Sequence, residues 1–235
     1  MILSRRSTLL GAASIATFPA FARTRRKLVM TGHRGNVATR LWPFFRNRNA
    51  SDVYGIDKKD GLEWDLAENT PTSKWTALIR DVDIVIHLAA TRNADADAAE
   101  IDRNNFLAMS VLMAVCEKAI TSVFVFASST FAEPNRYGLP YPTPFPVNHY
   151  GWSKVYGEQL GLAASRSARP GLAFRTVRIG WVPVAGDALG CDQGERWVQN
   201  IRVDDAYLCS RFMEAAVGDA TPGYRSYDCV GRHCG

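Results

Sequence analysis

Residues 27–38 read KLVMTGHRGNVA, and their order decides the fold. A short apolar run from Leu28 to Met30 passes directly into Thr31-Gly32-His33-Arg34-Gly35-Asn36-Val37-Ala38. This is T-G-x-x-G-x-x-A, a Gly-rich turn between a strand and a helix. Gly32 allows the tight turn, Gly35 lets a pyrophosphate approach the backbone, and Ala38 takes the close helix–strand contact. The N–H groups of the first helical turn, from Asn36 and Val37 onward, then face an anion. Asp57 closes the next apolar stretch, where a carboxylate can hydrogen-bond a ribose. Together these residues predict a dinucleotide site. Asp57 favours NAD, because its charge repels the additional phosphate of NADP. Arg34, Lys58 and Lys59 stand nearby and leave NADP open.

Outward from the turn, strand and helix patterns alternate. NVATRLWPFFRNR (36–48) has helical periodicity, with Pro43 as a point of kinking. DVYGID (52–57) is a second strand, and residues 73–80 read as a short helix with Ser73 as N-cap. DIVIHLAA (83–90) and SVFVFASS (122–129) are continuous apolar runs, as expected of strands buried on both faces. Long helices are predicted over 95–119 and 149–168, a strand over 172–180, and a last helix over 203–217 with an acidic first turn. This order predicts an α/β fold, a Rossmann-type doubly wound parallel sheet. A dinucleotide-binding domain is expected over 23–180 and a small substrate-binding portion over 181–235. Residues 132–147 hold five prolines and read as an ordered loop, while the Gly-rich stretch 181–202 reads as a mobile loop over a site.

Tyr150-Gly151-Trp152-Ser153-Lys154 is Y-x-x-x-K at the start of a predicted helix. Residues four apart share a helix face. A phenol is a poor base at neutral pH, and a neighbouring ammonium is expected to bring its pKa down. Ser128-Ser129-Thr130 ends the fourth strand, at the carboxyl edge where ligands bind in such sheets. A hydroxyl there can hold a substrate oxygen while Tyr150 moves the proton.

The Gly turn, HLAA (87–90), the serine pair and Y-x-x-x-K, in that order, resemble the extended short-chain dehydrogenase/reductase superfamily, in its NAD-dependent epimerase/dehydratase branch. The resemblance runs over roughly residues 27–217. It implies that Asp65 and Leu66 sit by the adenine, and that Leu88, Ala89 and Ala90 line the cofactor. It implies further that Asn105 props the site, that Ser129, preceded by Ser128, is catalytic with Tyr150 and Lys154, and that Val177 to Gly180, including Ile179, approach the nicotinamide. Within the branch the chain is most similar to hexuronate dehydrogenases. It departs from them at Phe131, where a His is usual, and at Trp181, where a small polar residue is usual. Arg92 stands where a Ser helps hold the sugar. Arg92, Thr130 and Arg196, with Arg202 as a further candidate, are the expected substrate contacts, since a guanidinium suits a carboxylate. The expected activity is oxidation or reduction of a sugar or sugar-acid hydroxyl. A redox-neutral epimerase or dehydratase is the rival, and a non-catalytic dinucleotide sensor is the reading from another class.

Composition narrows the partners. The chain has 28 basic and 23 acidic residues, but six of the basic ones fall within residues 1–27, which hold no acid. The remaining 22 against 23 leave no basic face for nucleic acid. Residues 1–22, MILSRRSTLLGAASIATFPAFA, have a positive start, an apolar stretch and an A-x-A site. Arg5-Arg6 resembles the twin-arginine type of export signal, which predicts a periplasmic enzyme, with a cytoplasmic one as the alternative. No run is long enough to anchor the chain in a membrane. No cysteine pair has metal-ligand spacing, so no metal is expected; Cys229 and Cys234 are close enough for a small disulfide loop. A homodimer is left open.

Overall fold

The computed structural model describes residues 26–47, 51–68, 70, 73–141, 143–168, 171–184, 196–218 and 220–231. Residues 1–22, the expected export leader, and Cys191 and Cys234 lie outside them. Six strands form one wholly parallel sheet: β1 (Arg26–Thr31), β2 (Ser51–Ile56), β3 (Ile84–His87), β4 (Val123–Ser129), β5 (Ala173–Ile179) and β6 (Gly223–Cys229). The strand order is β2-β1-β3-β4-β5-β6, so the winding reverses between β1 and β3. A crevice opens outside the carboxyl ends of the strands at such a reversal.

The apolar runs are continuous because both faces of the sheet are covered. Successive residues of a strand alternate faces. Leu28 and Met30 of β1 therefore pack on one side with Leu41 and Phe45 of α1 (Asn36–Asn47) and Phe212 of α7 (Asp205–Met213). Val29 packs on the other with Trp75 and Ile79 of α2 (Lys74–Arg80) and Leu112 of α4 (Ala108–Cys116). Helix α5 (His149–Ala163) lies tight against the sheet: a Cβ on Gly161 would come within 2.1 Å of the Phe174 ring.

Several local expectations are modified. Pro43 sits inside α1, which continues to Asn47. Ser73 precedes α2, but its hydroxyl donates to the Glu68 carbonyl (2.6 Å) and accepts from the Thr70 N–H (2.9 Å) instead of capping the helix. The helix expected over 95–119 starts as α3 (Ala98–Ile101), widens into a π-helical turn over Asp102–Leu107, and ends with α4. Part of the expected mobile loop is α6 (Arg196–Ile201), and residues 185–195 lie outside the described residues. Strand β6 was not legible in the sequence. It falls within the 181–235 portion and pairs with β5 from Ala173↔Gly223 to Ile179↔Cys229. Cys229 is buried with a free thiol. Among the described residues no helix is long and apolar enough to cross a membrane, and no cluster of His, Cys, Asp or Glu could hold a metal.

Candidate functional site

The Gly turn forms as its pattern requires. Gly32 adopts a left-handed φ of 67°, and a Cβ there would lie 2.7 Å from the Ala89 nitrogen. Any side chain would fill this cradle. Two adjoining cavities, of about 340 and 580 Å³, open on either side of the turn and share Gly32, Gly35, Leu88, Ala90, Arg92 and Asn93. The smaller is walled by Asp57, Asp65, Leu66 and Ala89. The larger is walled by Asn36, Val37, Ser128, Ser129, Tyr150 and Lys154, with Ile179 and Trp181 beyond. Adjoining cavities across the winding reversal, meeting at the two glycines of the turn, fit an extended dinucleotide with its pyrophosphate at Gly32 and Gly35.

At one end, Asp57 is held by backbone. Its Oδ2 accepts from the Arg34 N–H (3.1 Å) and its Oδ1 from the Lys59 N–H (3.0 Å), capping a 3-10 turn over Lys58–Asp60. The carboxylate is thereby fixed at the cavity edge, with lone pairs remaining for ribose hydroxyls. Asp65 lines the same cavity but is shared with Arg103, whose Nη2 donates to its Oδ2 (3.0 Å).

At the other end, α5 is started by Asn148, whose side chain accepts from the Gly151 N–H (2.8 Å). That places Tyr150 and Lys154 on the face toward β4, where Ser128 and Ser129 end. Lys154 is 5% exposed; its Nζ donates to the Ala127 carbonyl (3.0 Å) and lies 5.3 Å from the Tyr150 ring centroid. Burial lowers its pKa to about 8, against the opposing charge of Glu158. The Tyr150 phenol is pushed above its ordinary value by burial, with a Ser129 hydrogen bond working against the rise. This corrects the expectation that the ammonium brings the phenol down. In this arrangement desolvation outweighs the helpful contacts, and the ammonium is turned to a carbonyl.

Not every expected residue reaches the groove. Asn105 is buried behind the wall, where its Oδ1 accepts from the Thr91 N–H (2.8 Å) and its Nδ2 donates to Ser153 Oγ (2.9 Å). Its neighbour Asn104 lines the smaller cavity instead. Thr130 is buried in a short 3-10 turn and lines neither cavity. Arg196, exposed at the start of α6, lines neither. The Arg34 guanidinium is ion-paired with Asp60, outside both linings. Arg92 lines both cavities. Arg202 stacks its guanidinium 5.2 Å from the Trp181 ring.

Beneath the wall at the Tyr150 end lies a buried polar layer that the motifs do not announce. Ser128 Oγ donates to Glu158 Oε1 (2.6 Å), and Arg178 grips the same carboxylate through Nε (2.9 Å) and Nη2 (2.6 Å). Glu158 follows Lys154 by four residues, so helical spacing was the available signal. His87 is also buried here, its Nδ1 2.7 Å from Thr31 Oγ1. Desolvation, and then the charge of Lys154, lowers its pKa from 6.5 to about 3. Between those values the unfolded chain binds a proton that the folded chain does not. Folding stability is therefore lost as pH falls through 6.5 toward 3, by about 2 kcal/mol at pH 5 from this group alone. His87→Gln is expected to flatten that part of the pH dependence, read as the difference in urea midpoint between pH 7 and pH 5. An equal difference in variant and wild type would remove His87 as its source.

The sequence pattern of the NAD dependent epimerase/dehydratase family matches residues 28–182. The L-arabinose 1-dehydrogenase (NAD(P)(+)) of Haloferax volcanii is 26% identical over 219 residues, covering 85% of this chain and 81% of that protein. Among solved structures, a short-chain dehydrogenase/reductase superfamily protein from Agrobacterium tumefaciens with bound NAD superimposes with a TM-score of 0.70 at 18% identity, over 88% of this chain and 78% of the other. The glucuronic acid dehydrogenase from Chromohalobacter salexigens gives 0.68 at 16% identity, over 89% and 78%. At these identities the structural likeness shows the α/β fold.

Proposed function

We propose that this chain, which belongs to the NAD dependent epimerase/dehydratase family, is an oxidoreductase acting on a hydroxyl of a small sugar or sugar acid, with NAD as its cofactor. One observation carries the reading: Ser129, Tyr150 and Lys154 line one cavity, at the end of the groove away from Asp57. In this reading Ser129 holds the substrate oxygen and Tyr150 takes its proton. Lys154, charged below about pH 8, moves from the Ala127 carbonyl toward the phenol and the cofactor ribose. Bound NAD supplies the hydride acceptor. Arg92, at the junction of the cavities, is the candidate partner for a substrate carboxylate, and Trp181 closes the far wall where residues 181–235 begin the substrate-binding portion. The sugar dehydrogenases among its relatives support the substrate class.

A screen of pentoses, hexoses and hexuronic acids with NAD and with NADP tests the reading. A substrate-dependent rise in the reduced nicotinamide absorbance is expected. If none of them produces it, release of reduced cofactor is excluded for these substrates, and product analysis for epimers decides the redox-neutral reading. That second reading gains weight from Arg5-Arg6 and the A-x-A stretch. Twin-arginine export carries folded, loaded proteins, and a compartment without free NAD favours a cofactor that never leaves. Cell fractionation tests the export proposal: mature protein confined to the cytoplasm and still carrying residues 1–22 would end it.

A further inference from the structure

We infer that Asp60 is a specificity residue for the cofactor, holding the Arg34 guanidinium away from the ribose edge where a 2′-phosphate would sit. The inference rests on the assignment of the groove to NAD, and specifically of Asp57 to the adenosine ribose. The backbone of Arg34 lies against that acid, since its N–H donates to Asp57 Oδ2 (3.1 Å). Its side chain is therefore rooted beside the ribose hydroxyls, where a guanidinium free to move would take a phosphate bidentately. Instead Arg34 Nη2 is paired with Asp60 Oδ1.

The two partners are unequally held. The Asp60 side chain is 22% exposed and that of Arg34 53%. Asp60 closes the 3-10 turn that Asp57 caps, with its own N–H on the Asp57 carbonyl (2.9 Å). Its other oxygen lies 3.6 Å from His33 Nε2, and the His33 ring in turn packs 5.2 Å from the Trp42 ring. The acid is the more buried and more firmly anchored member, and the base is the more exposed one. Lys58, the next cation along, donates to Asn104 Oδ1 (3.2 Å).

A 2′-phosphate, with close to two negative charges, thus meets two fixed carboxylates, Asp57 and Asp60. It can recruit Arg34 only by stripping it from Asp60. NAD needs no cation at this edge and meets no such cost. Lys59 lines the cavity with an exposed side chain, so some NADP affinity is expected in the wild type.

Asp60→Asn is nearly isosteric and leaves the backbone bonds of the turn in place. Fluorescence titrations of the full chain with NADH and NADPH measure its effect. The dissociation constant for NADPH is expected to fall about tenfold, the scale of one charge-assisted contact released for use. That for NADH should stay within about twofold, which also reports an intact turn. The gain should shrink at high salt and vanish in the Arg34→Ala, Asp60→Asn double variant. An unchanged NADPH constant in Asp60→Asn overturns the inference, as does an equal gain for NADH. A gain that survives in the double variant overturns it too, because relief of repulsion then suffices without Arg34. Failure of the wild type to bind either nucleotide would instead remove the cofactor assignment on which the inference stands.

Discussion

Tyr150→Phe is expected to lose about 10²–10⁴-fold in turnover while binding NADH nearly as the wild type does. The substitution removes one oxygen. It keeps the ring, which meets Phe131 edge-on at 5.9 Å and lies under Lys154 at 5.3 Å. The cradle at Gly32 and the acid at Asp57 are untouched, so the cofactor has no reason to leave. What is lost is the atom that would accept the substrate proton. The burial that raises the Tyr150 pKa keeps the phenol neutral in the free protein. Its conversion to a base therefore depends on Lys154 carrying a charge and turning toward it. For that reason the wild-type rate should also change near pH 8, where Lys154 titrates in the free chain. Steady-state rates on the substrate found by the sugar screen, beside an NADH titration, check both halves. Unchanged turnover would take Tyr150 out of the mechanism, and lost NADH binding would make the ring itself part of the cofactor wall.

The residues that were legible in the sequence are those whose role is set by local pattern. The turn from Gly32 to Ala38 needs only a left-handed glycine and a following helix, and both are written within a few residues. The buried strands β3 and β4 announce themselves because a strand covered on both faces is apolar along most of its length, with His87 and the serine pair only at their carboxyl ends. Strand β6 does not, because it is an edge. Arg225 and Ser226 are exposed while Cys229 is buried, so GYRSYDC lacks both an apolar run and a clean alternation. The site divides in the same way. Spacing shows that Tyr150 and Lys154 share a face, but not which partner claims each group. Lys154 is claimed by a carbonyl, the Arg34 guanidinium by Asp60, and Asn105 by Thr91 and Ser153. These are tertiary contacts between segments far apart in the chain. Glu158 is the instructive omission. The same four-residue step that links Tyr150 to Lys154 links Lys154 to Glu158, and a buried acid on that face requires a buried base.

That base is Arg178, and Arg178→Met is expected to destabilise the protein by about 3–5 kcal/mol. Glu158 is 4% exposed and Arg178 7%. Without the guanidinium, the Glu158 carboxylate keeps only the Ser128 hydroxyl (2.6 Å) and a long contact from the Tyr224 hydroxyl (3.4 Å). Neither carries a charge, the Lys154 ammonium acts on Glu158 only through space, and water has little access. Glu133, the second partner of Arg178, is 42% exposed at its side chain and can be solvated when the pair is broken, so the cost falls on Glu158. Removing both charges, in Glu158→Met with Arg178→Met, should cost less than Arg178→Met alone, because the buried carboxylate is then gone with its guanidinium and only the weaker charge coupling to Lys154 is lost. Urea midpoints of the wild type, the single variant and the double variant measure the order. A double variant less stable than the single would show that the carboxylate is stabilised mainly by Ser128 and its surroundings, and that Arg178 is a bystander. The expected order has a consequence for the site. Ser128 is the neighbour of Ser129 and Glu158 shares the helix face of Lys154, so the ion pair ties α5 to the end of β5 and holds the carboxylate where the Ser128 hydroxyl ties it to the end of β4, between the two groups on which the proposed chemistry depends.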